Sequence, residues 1–388
     1  MAPRPPLRIV ADRNITYVEQ AFADVGEVVA LPSSAIDAAA VQEADLLLVR
    51  STVKVGPALL EDSRVRFVAT ATIGTDHLDL PWLLGRGIEV ASAPGSNAPS
   101  VALWWAAALL TTAARQGQAL LGRTVGIVGV GNVGRRVEAA AVALGMKVLR
   151  CDPPRTRAEG AAGFAALDEV IAAADILTLH VPLTDEGPDR TRRLFDAARL
   201  GELRPGAWLV NACRGPVLDG AAAAAARQGG RLGALVLDVF DPEPVVPPDV
   251  VAAADIATAH IAGHSLDGKA AGTAMVYRAA CAFLGQPPRW EARLALPRPS
   301  AAALSLDARE LPDEAAALAL VRRFYRIEPD DAALRAIAAL PEAERGPRFR
   351  RFRDDYPSHR EPTSVRVTTL PPRPRALALL QALGATPA

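Results

Sequence analysis

The feature that most constrains this chain is the run Gly129-Val130-Gly131-Asn132-Val133-Gly134, which directly follows an apolar stretch at 124–128. A glycine turn placed between a strand and a helix belongs to parallel α/β architecture. The first two glycines permit a tight turn and close approach of a pyrophosphate. The third lets the helix pack against the strand, and amides at the helix N-terminus stabilise the anion. Asn132 and Val133 open that helix and offer their amides to the same anion. Asp152 ends the next strand, where an acidic side chain accepts from the adenosine ribose hydroxyls and favours NAD. Arg155 and Arg157 follow closely and keep open an alternative, neutralisation of a 2′-phosphate as in NADP.

The surrounding pattern has the same rhythm. Short apolar runs at 7–11, 45–50, 66–69 and 88–90 alternate with helix-like segments, forming a first α/β unit that lacks a glycine fingerprint. A helix starts around Asn97 and Pro99 and continues as an apolar segment to about 114. Strands follow at 124–129, 147–150, 175–179, 207–210, 232–237 and 255–258. Two Rossmann-like, doubly wound parallel sheets are therefore expected. Ligands should bind beyond the C-terminal strand ends, with right-handed crossovers between strands. The proline cluster Gln286-Pro287-Pro288 precedes a change of pattern, with helices near 313–325, 331–340 and 375–383 and a β-branched run at 364–369. These signals divide the chain into a first α/β unit at 1–98, a dinucleotide-binding domain at 99–263 and a C-terminal α+β domain at 286–388.

Three residues after later strands carry chemistry: Arg214 in Asn211-Ala212-Cys213-Arg214-Gly215, Glu243 in Asp238-Val239-Phe240-Asp241-Pro242-Glu243-Pro244, and His260 in His260-Ile261-Ala262-Gly263. An imidazole can take a hydroxyl proton while hydride leaves the same carbon. Glu243 can hold the imidazole tautomer. The planar fork of Arg214 can grip a carboxylate and polarise the adjoining oxygen. A structural histidine, and a salt bridge from Arg214 to Asp219 or Asp238, are the plainer readings of the same residues. Cys213 lacks a neighbouring base and reads as a small buried side chain.

Composition closes off other classes. Lys+Arg and Asp+Glu are each 43 in 388 residues, so no net charge is available for a general grip on nucleic acid or an anionic membrane. Three dispersed cysteines form no metal-ligand spacing, and no metal is expected. The first residues lack the apolar run of a signal peptide and no later segment has membrane-spanning character, so a cytoplasmic protein is expected. Arg345, Arg348, Arg350, Arg351 and Arg353 alternate with Phe349 and Phe352, but flanking acids favour a solvated or dimer-facing surface over a nucleic-acid site. Trp104 and Trp105 read as core.

The segments at 126–134, 211–215, 238–244 and 260–263 resemble the D-isomer-specific 2-hydroxyacid dehydrogenases, over roughly residues 7–285. The resemblance implies an N-terminal substrate-binding domain at 1–98, completed by about 264–285, an inserted NAD-binding domain at 99–263, a catalytic set of Arg214, Glu243 and His260, and Asp238 near the nicotinamide. It further implies cofactor contacts from Val181, Ala212, Cys213, Arg214 and Gly263. Val49-Arg50-Ser51-Thr52-Val53-Lys54-Val55, Thr70-Ala71-Thr72-Ile73-Gly74-Thr75-Asp76-His77, Ala93-Pro94-Gly95-Ser96-Asn97, Cys151-Asp152-Pro153-Pro154-Arg155 and the stretch 260–270 resemble one branch of that family. That branch oxidises a phosphorylated four-carbon hydroxy acid in pyridoxal phosphate synthesis and dimerises through an extra C-terminal domain. The branch resemblance implies substrate contacts from Ser51 and Thr70, and Arg50 and Lys54 lie near enough in sequence to offset a phosphate. In this branch the position of His264 is usually a substrate-contacting tyrosine, and that of Val181 is commonly a threonine. Other 2-hydroxy acids, such as 3-phosphoglycerate, glyoxylate or hydroxypyruvate, remain alternative substrates. A dinucleotide-sensing binding protein remains an alternative of another class.

Overall fold

The computed structural model describes residues 6–299, 301–363 and 365–386. The chain forms two compact units, one from residues up to Asn97 together with Ser265–Arg298, the other from Ala98–His264 together with the residues from 299 onward.

In the first unit, β1 (Leu7–Asp12), β2 (Gly26–Leu31), β3 (Leu46–Val49), β4 (Phe67–Thr70) and β5 (Glu89–Ala91) form a parallel sheet in the order β2-β1-β3-β4-β5. Every residue of β3 and β4 is buried. Such continuous apolar runs suit strands covered on both faces. Alternate residues feed two cores. Ile9, Leu46, Leu48 and Phe67 meet Val276, Tyr277 and Ala280 of the helix Leu266–Leu284, while Val10, Leu47, Val49 and Val68 meet Val41, Leu60 and Leu83. The edge strand β2 is absent from the sequence expectation. It is only half-buried and begins at Gly26, where a Cβ would lie 2.3 Å from the Leu7 carbonyl oxygen. Neither a buried apolar run nor clean alternation announces it.

In the second unit, β6 (Thr124–Val128), β7 (Lys147–Cys151), β8 (Ile176–Leu179), β9 (Ala207–Asn211), β10 (Leu232–Leu237) and β11 (Ile256–Ala257) pair in the order β11-β10-β9-β8-β6-β7, all parallel. Strand order reverses at β6, so the glycine turn lies at the topological switch point where such sheets bind ligands. The helix Ala98–Gln116 is buried almost all round, including both Trp104 and Trp105. That matches its near-uniform apolar sequence.

The expected separate domain at 286–388 takes a different form. Residues 286–298 remain with the first unit, and the chain from 299 onward shares the core of the second. A short parallel pair, β12 (Ala303–Asp307) and β13 (Arg366–Leu370), stands beside helices that do the docking. The run expected at 364–369 corresponds to β13, and Ser364 lies outside the described residues. The helices Asp313–Val321 and Pro374–Ala382 bury Ala316, Leu320, Leu379 and Leu380 in one cluster with Leu103, Leu110 and Val137. The Glu314 carboxylate accepts from the amides of Leu120 and Leu121 at 2.9–3.0 Å. Apolar helix faces on both sides complete each other, which no local pattern states. Among the described residues no helix is long and apolar enough to cross a membrane.

Candidate active site

The glycine turn has the stereochemistry its sequence implies. Gly129 has φ 90°, and a Cβ there would lie 2.5 Å from the His180 carbonyl oxygen and 2.9 Å from Val181 Cγ1. At Gly134 a Cβ would fall 2.1 Å from the Gly129 carbonyl oxygen, whereas Gly131 faces open space. The backbone is thus packed on the sheet side and clear on the side where a pyrophosphate would approach, at the start of the helix Asn132–Ala143. Asp152 binds the turn itself: one carboxylate oxygen accepts from the Val130 amide at 2.8 Å, the other from the Arg155 amide at 3.1 Å. Arg155 donates to the Val130 carbonyl and to Glu159, and Arg157 pairs with Asp189. Both arginines that left a 2′-phosphate open as an alternative are paired with carboxylates, which fits NAD. Val181 follows β8 against the turn, with no side-chain donor in the place where a threonine hydroxyl would supply one.

Beyond β9, Asn211 shapes the loop bearing Arg214. Its amide nitrogen donates to the Arg214 carbonyl at 3.1 Å, and its oxygen accepts from the Cys213 amide at 3.1 Å. Asn211 was not singled out by sequence reasoning, although it sits inside the recognised motif. Ala212 and Cys213 line this loop, and burial pushes the Cys213 thiol up to about 11, so it is no nucleophile at neutral pH. A Cβ at Gly215 would lie 1.8 Å from the Phe240 carbonyl oxygen, so glycine is needed where the loops after β9 and β10 meet. Arg214 Nη1 donates to the Cys213 carbonyl at 2.8 Å. Asp219 pairs with Arg193 and caps the helix Gly220–Gln228, and Asp238 is occupied as described next, so both carboxylates considered as structural partners of Arg214 have other donors.

Asp238 organises the loop that carries the histidine. Its carboxylate accepts from the Thr258 hydroxyl at 2.6 Å and from the amides of Ile261 and Ala262 at 2.9 and 3.0 Å. Thr258 in turn accepts from the Trp104 indole at 3.0 Å, and the Ser100 hydroxyl donates to the Ala262 carbonyl at 2.7 Å. Burial pushes the Asp238 carboxyl up to about 6, opposed by the nearby His260 and by its three donors. His260 adopts φ 54°, a left-handed conformation that costs a side-chain-bearing residue roughly 1–2 kcal/mol. Its amide donates to the Asp238 carbonyl at 2.7 Å, and the bonds to Asp238 on the following two residues fix the turn.

His260 Nδ1 lies 2.8 Å from a Glu243 carboxylate oxygen, while the other oxygen accepts from the Phe240 amide at 2.9 Å. Burial opposes ionisation of Glu243. The charge and hydrogen bond of His260, the Phe240 amide and Arg353 outweigh it, holding the carboxyl below its ordinary range. An ionised glutamate on Nδ1 makes that nitrogen the N–H of a neutral ring and leaves Nε2 as the basic atom. Arg353 belongs to the helix Glu342–Asp354, which packs at Gly346 against Val245 and Pro244. The basic-aromatic run expected on a solvated or dimer-facing surface is this helix, with Phe349 buried in the core below. Gly263 and His264 complete the loop, and the His264 ring stands edge-on to Tyr356. Among the described residues no group of histidine, cysteine and acidic side chains could hold a metal ion.

On the first unit, Ser51 lies exposed just beyond β3. The Arg50 guanidinium approaches the buried Asp12 carboxylate at 3.4 Å, so part of its charge is met within the fold. Thr70 ends β4 fully buried, its hydroxyl 2.7 Å from that of Thr72 and 3.1 Å from His77 Nε2.

Two family models match the chain: residues 9–103 the catalytic domain, and residues 103–262 the NAD binding domain, of D-isomer specific 2-hydroxyacid dehydrogenases. An erythronate-4-phosphate dehydrogenase of Salinibacter ruber is 49% identical over 366 residues, covering 92% of each chain. One from Azotobacter vinelandii is 46% identical over 382 residues, covering 98% of this chain and 100% of its own. Among solved structures, the TT0316 protein from Thermus thermophilus superposes with TM-score 0.60 at 27% identity, covering 73% of this chain and 98% of its own. D-Lactate dehydrogenase from Aquifex aeolicus, complexed with NAD and lactic acid, has the same fold at TM-score 0.60 and 24% identity, covering 72% of this chain and 95% of its own. The chain belongs to the D-isomer specific 2-hydroxyacid dehydrogenases, and carries their NAD-binding domain.

Proposed function

We propose that this protein oxidises 4-phospho-D-erythronate to 2-oxo-3-hydroxy-4-phosphobutanoate with NAD, in pyridoxal phosphate synthesis. The observation that carries this reading is the 2.8 Å His260–Glu243 pair in the same unit as a formed dinucleotide turn, in a chain whose full-length relatives bear that dehydrogenase name. NAD, when bound, supplies the acceptor for the hydride that leaves C2. Arg214 grips the substrate carboxylate and polarises the C2 oxygen, favouring the developing carbonyl. His260 Nε2 takes the C2 hydroxyl proton, and Glu243 stabilises the imidazolium so formed. Asp238, with Thr258 and Trp104, holds the histidine turn in place. Ser51, Thr70 and Arg50 on the first unit, with His264, are the proposed substrate contacts. A cytoplasmic homodimer, paired through the C-terminal section, completes the reading.

Purified protein should reduce NAD with 4-phospho-D-erythronate in preference to 3-phosphoglycerate and unphosphorylated erythronate, with a 2-oxo-acid acceptor supplied in parallel reactions. Turnover of another hydroxy acid alone would keep the chemistry and overturn the substrate. Tight NAD binding without turnover of any would overturn the enzymatic reading in favour of a dinucleotide sensor.

A further inference from the structure

The C-terminal section buries a polar cluster that the chemistry above does not use. Asp330, at the start of the helix Glu328–Ala338, accepts from the hydroxyls of Tyr325 at 2.9 Å and Tyr356 at 2.7 Å, both on the same carboxylate oxygen. All three side chains are more than nine-tenths buried. Burial raises the Asp330 carboxyl above its usual range while both phenols pull it back down. Two donors on one buried carboxylate fix both rings more firmly than apolar packing would.

The direction of that fixation is informative. The neighbouring Asp331 accepts from the Ala257 amide at 2.9 Å, so this helix start is tied to β11, the strand that delivers the loop from His260 to His264. Tyr356 then returns to the end of that loop. Its ring meets the His264 imidazole edge-to-face, with centroids 5.7 Å apart and planes at 73°. On another side Phe352 packs on Tyr356 at 5.8 Å, also edge-to-face. The phenol is held at its hydroxyl by Asp330 and at its ring by Phe352.

We propose that Tyr356, anchored through its hydroxyl on Asp330, is a positioning residue that sets the orientation of the His264 imidazole toward substrate. This rests on the dehydrogenase reading for its kinetic consequence, and on the ring contact alone for its structural one. The C-terminal section thus shapes substrate recognition within its own chain, whatever it does between chains.

Tyr356→Phe keeps the ring and removes the anchor, leaving Asp330 its bond from Tyr325. The expected result is a KM for 4-phospho-D-erythronate raised roughly three- to tenfold, the range for one lost hydrogen bond, with kcat and the KM for NAD within about twofold. In a His264→Ala background the same substitution should add nothing to KM, because the effect passes through the imidazole. The His264 ring signals in a carbon–proton correlation spectrum, assigned by their loss in His264→Ala, should shift in Tyr356→Phe without any ligand present. An unchanged ring signal, or a KM effect that persists without His264, would overturn the proposal. If the unaltered protein turns over no phosphoerythronate, the dehydrogenase reading fails by itself, and the ring signal still decides the positioning role.

Discussion

The two units are built on the same plan, a parallel sheet whose chain order reverses beside its first strand, yet they finish their strand ends differently. In the second unit the loops after β9, β10 and β11 are cross-stitched by buried and half-buried polar groups: buried Asn211 within its own loop, half-buried Glu243 to His260, and buried Asp238 to Thr258, Ile261 and Ala262. In the first unit Ser51 beyond β3 is exposed, and nearby hydroxyls form a short chain from Thr52 through Ser33 to Asp12. The contrast follows from chemistry. The proposed base must be held at one tautomer and one angle, and a hydrogen-bonded network anchored on the buried Asp238 and Thr258 does that. Ser51, in its proposed role of substrate contact, would gain its partner on binding and can wait in solvent.

This contrast can be broken by substitution. The largest expected effect is from His260→Ala, which should lower kcat by about 10²–10⁴, as for loss of a general base, while NAD affinity measured by fluorescence titration stays nearly constant. Equal losses in both would remove His260 as the base. Next, Thr258→Val preserves shape but deletes the link between Trp104 and Asp238. Urea unfolding should show a loss of about 2–4 kcal/mol, one neutral and one charge-assisted bond, with slower turnover. A change below about 0.5 kcal/mol would mean that the stitching does not hold the loop.

Glu243→Gln should reduce kcat by about ten- to a hundredfold, the loss of one charge-assisted bond. It also carries a pH signature. The folded Glu243 carboxyl sits below its ordinary range, so its contribution to stability is complete above the unfolded pKa and lost as pH falls through the folded one. The glutamine variant should therefore destabilise less steeply than the parent below about pH 4.3, the ordinary glutamate value. Parallel acid-unfolding curves would refute that. The smallest effect belongs to the open unit: Ser51→Ala should leave stability within about 0.5 kcal/mol and raise only the substrate KM. If it destabilises as much as Thr258→Val, the distinction between stitched and open strand ends collapses.

Much of the site was legible because its signals are local. Gly129, Gly131 and Gly134 stand where backbone approach forbids or spares a Cβ, and Arg214, Glu243 and His260 each follow a strand whose apolar run is plain. Asp152 was placed correctly in the chain, but its bonds to Val130 and Arg155 depend on which groups the turn presents. The edge strand β2 leaves no periodic trace because it is half-buried almost throughout, whereas β12 alternates over only five residues with just Leu304 and Leu306 turned inward, too short a run to stand out.

The sequence by itself determined the two parallel sheets, the switch-point glycine turn and the side chains, Arg214, Glu243 and His260, on which the proposed chemistry rests. Each of these follows from rules that act over a few residues: periodicity, turn stereochemistry and the chemistry of one group. Only the tertiary structure decided that residues from 299 onward complete the second unit's core, that Arg50 shares its charge with Asp12, that Trp104 reaches Asp238 through Thr258, and that Tyr356 stands against His264. Those outcomes join residues far apart in the chain, and their free energy arises from burial and hydrogen-bond satisfaction that exist only once distant surfaces have met.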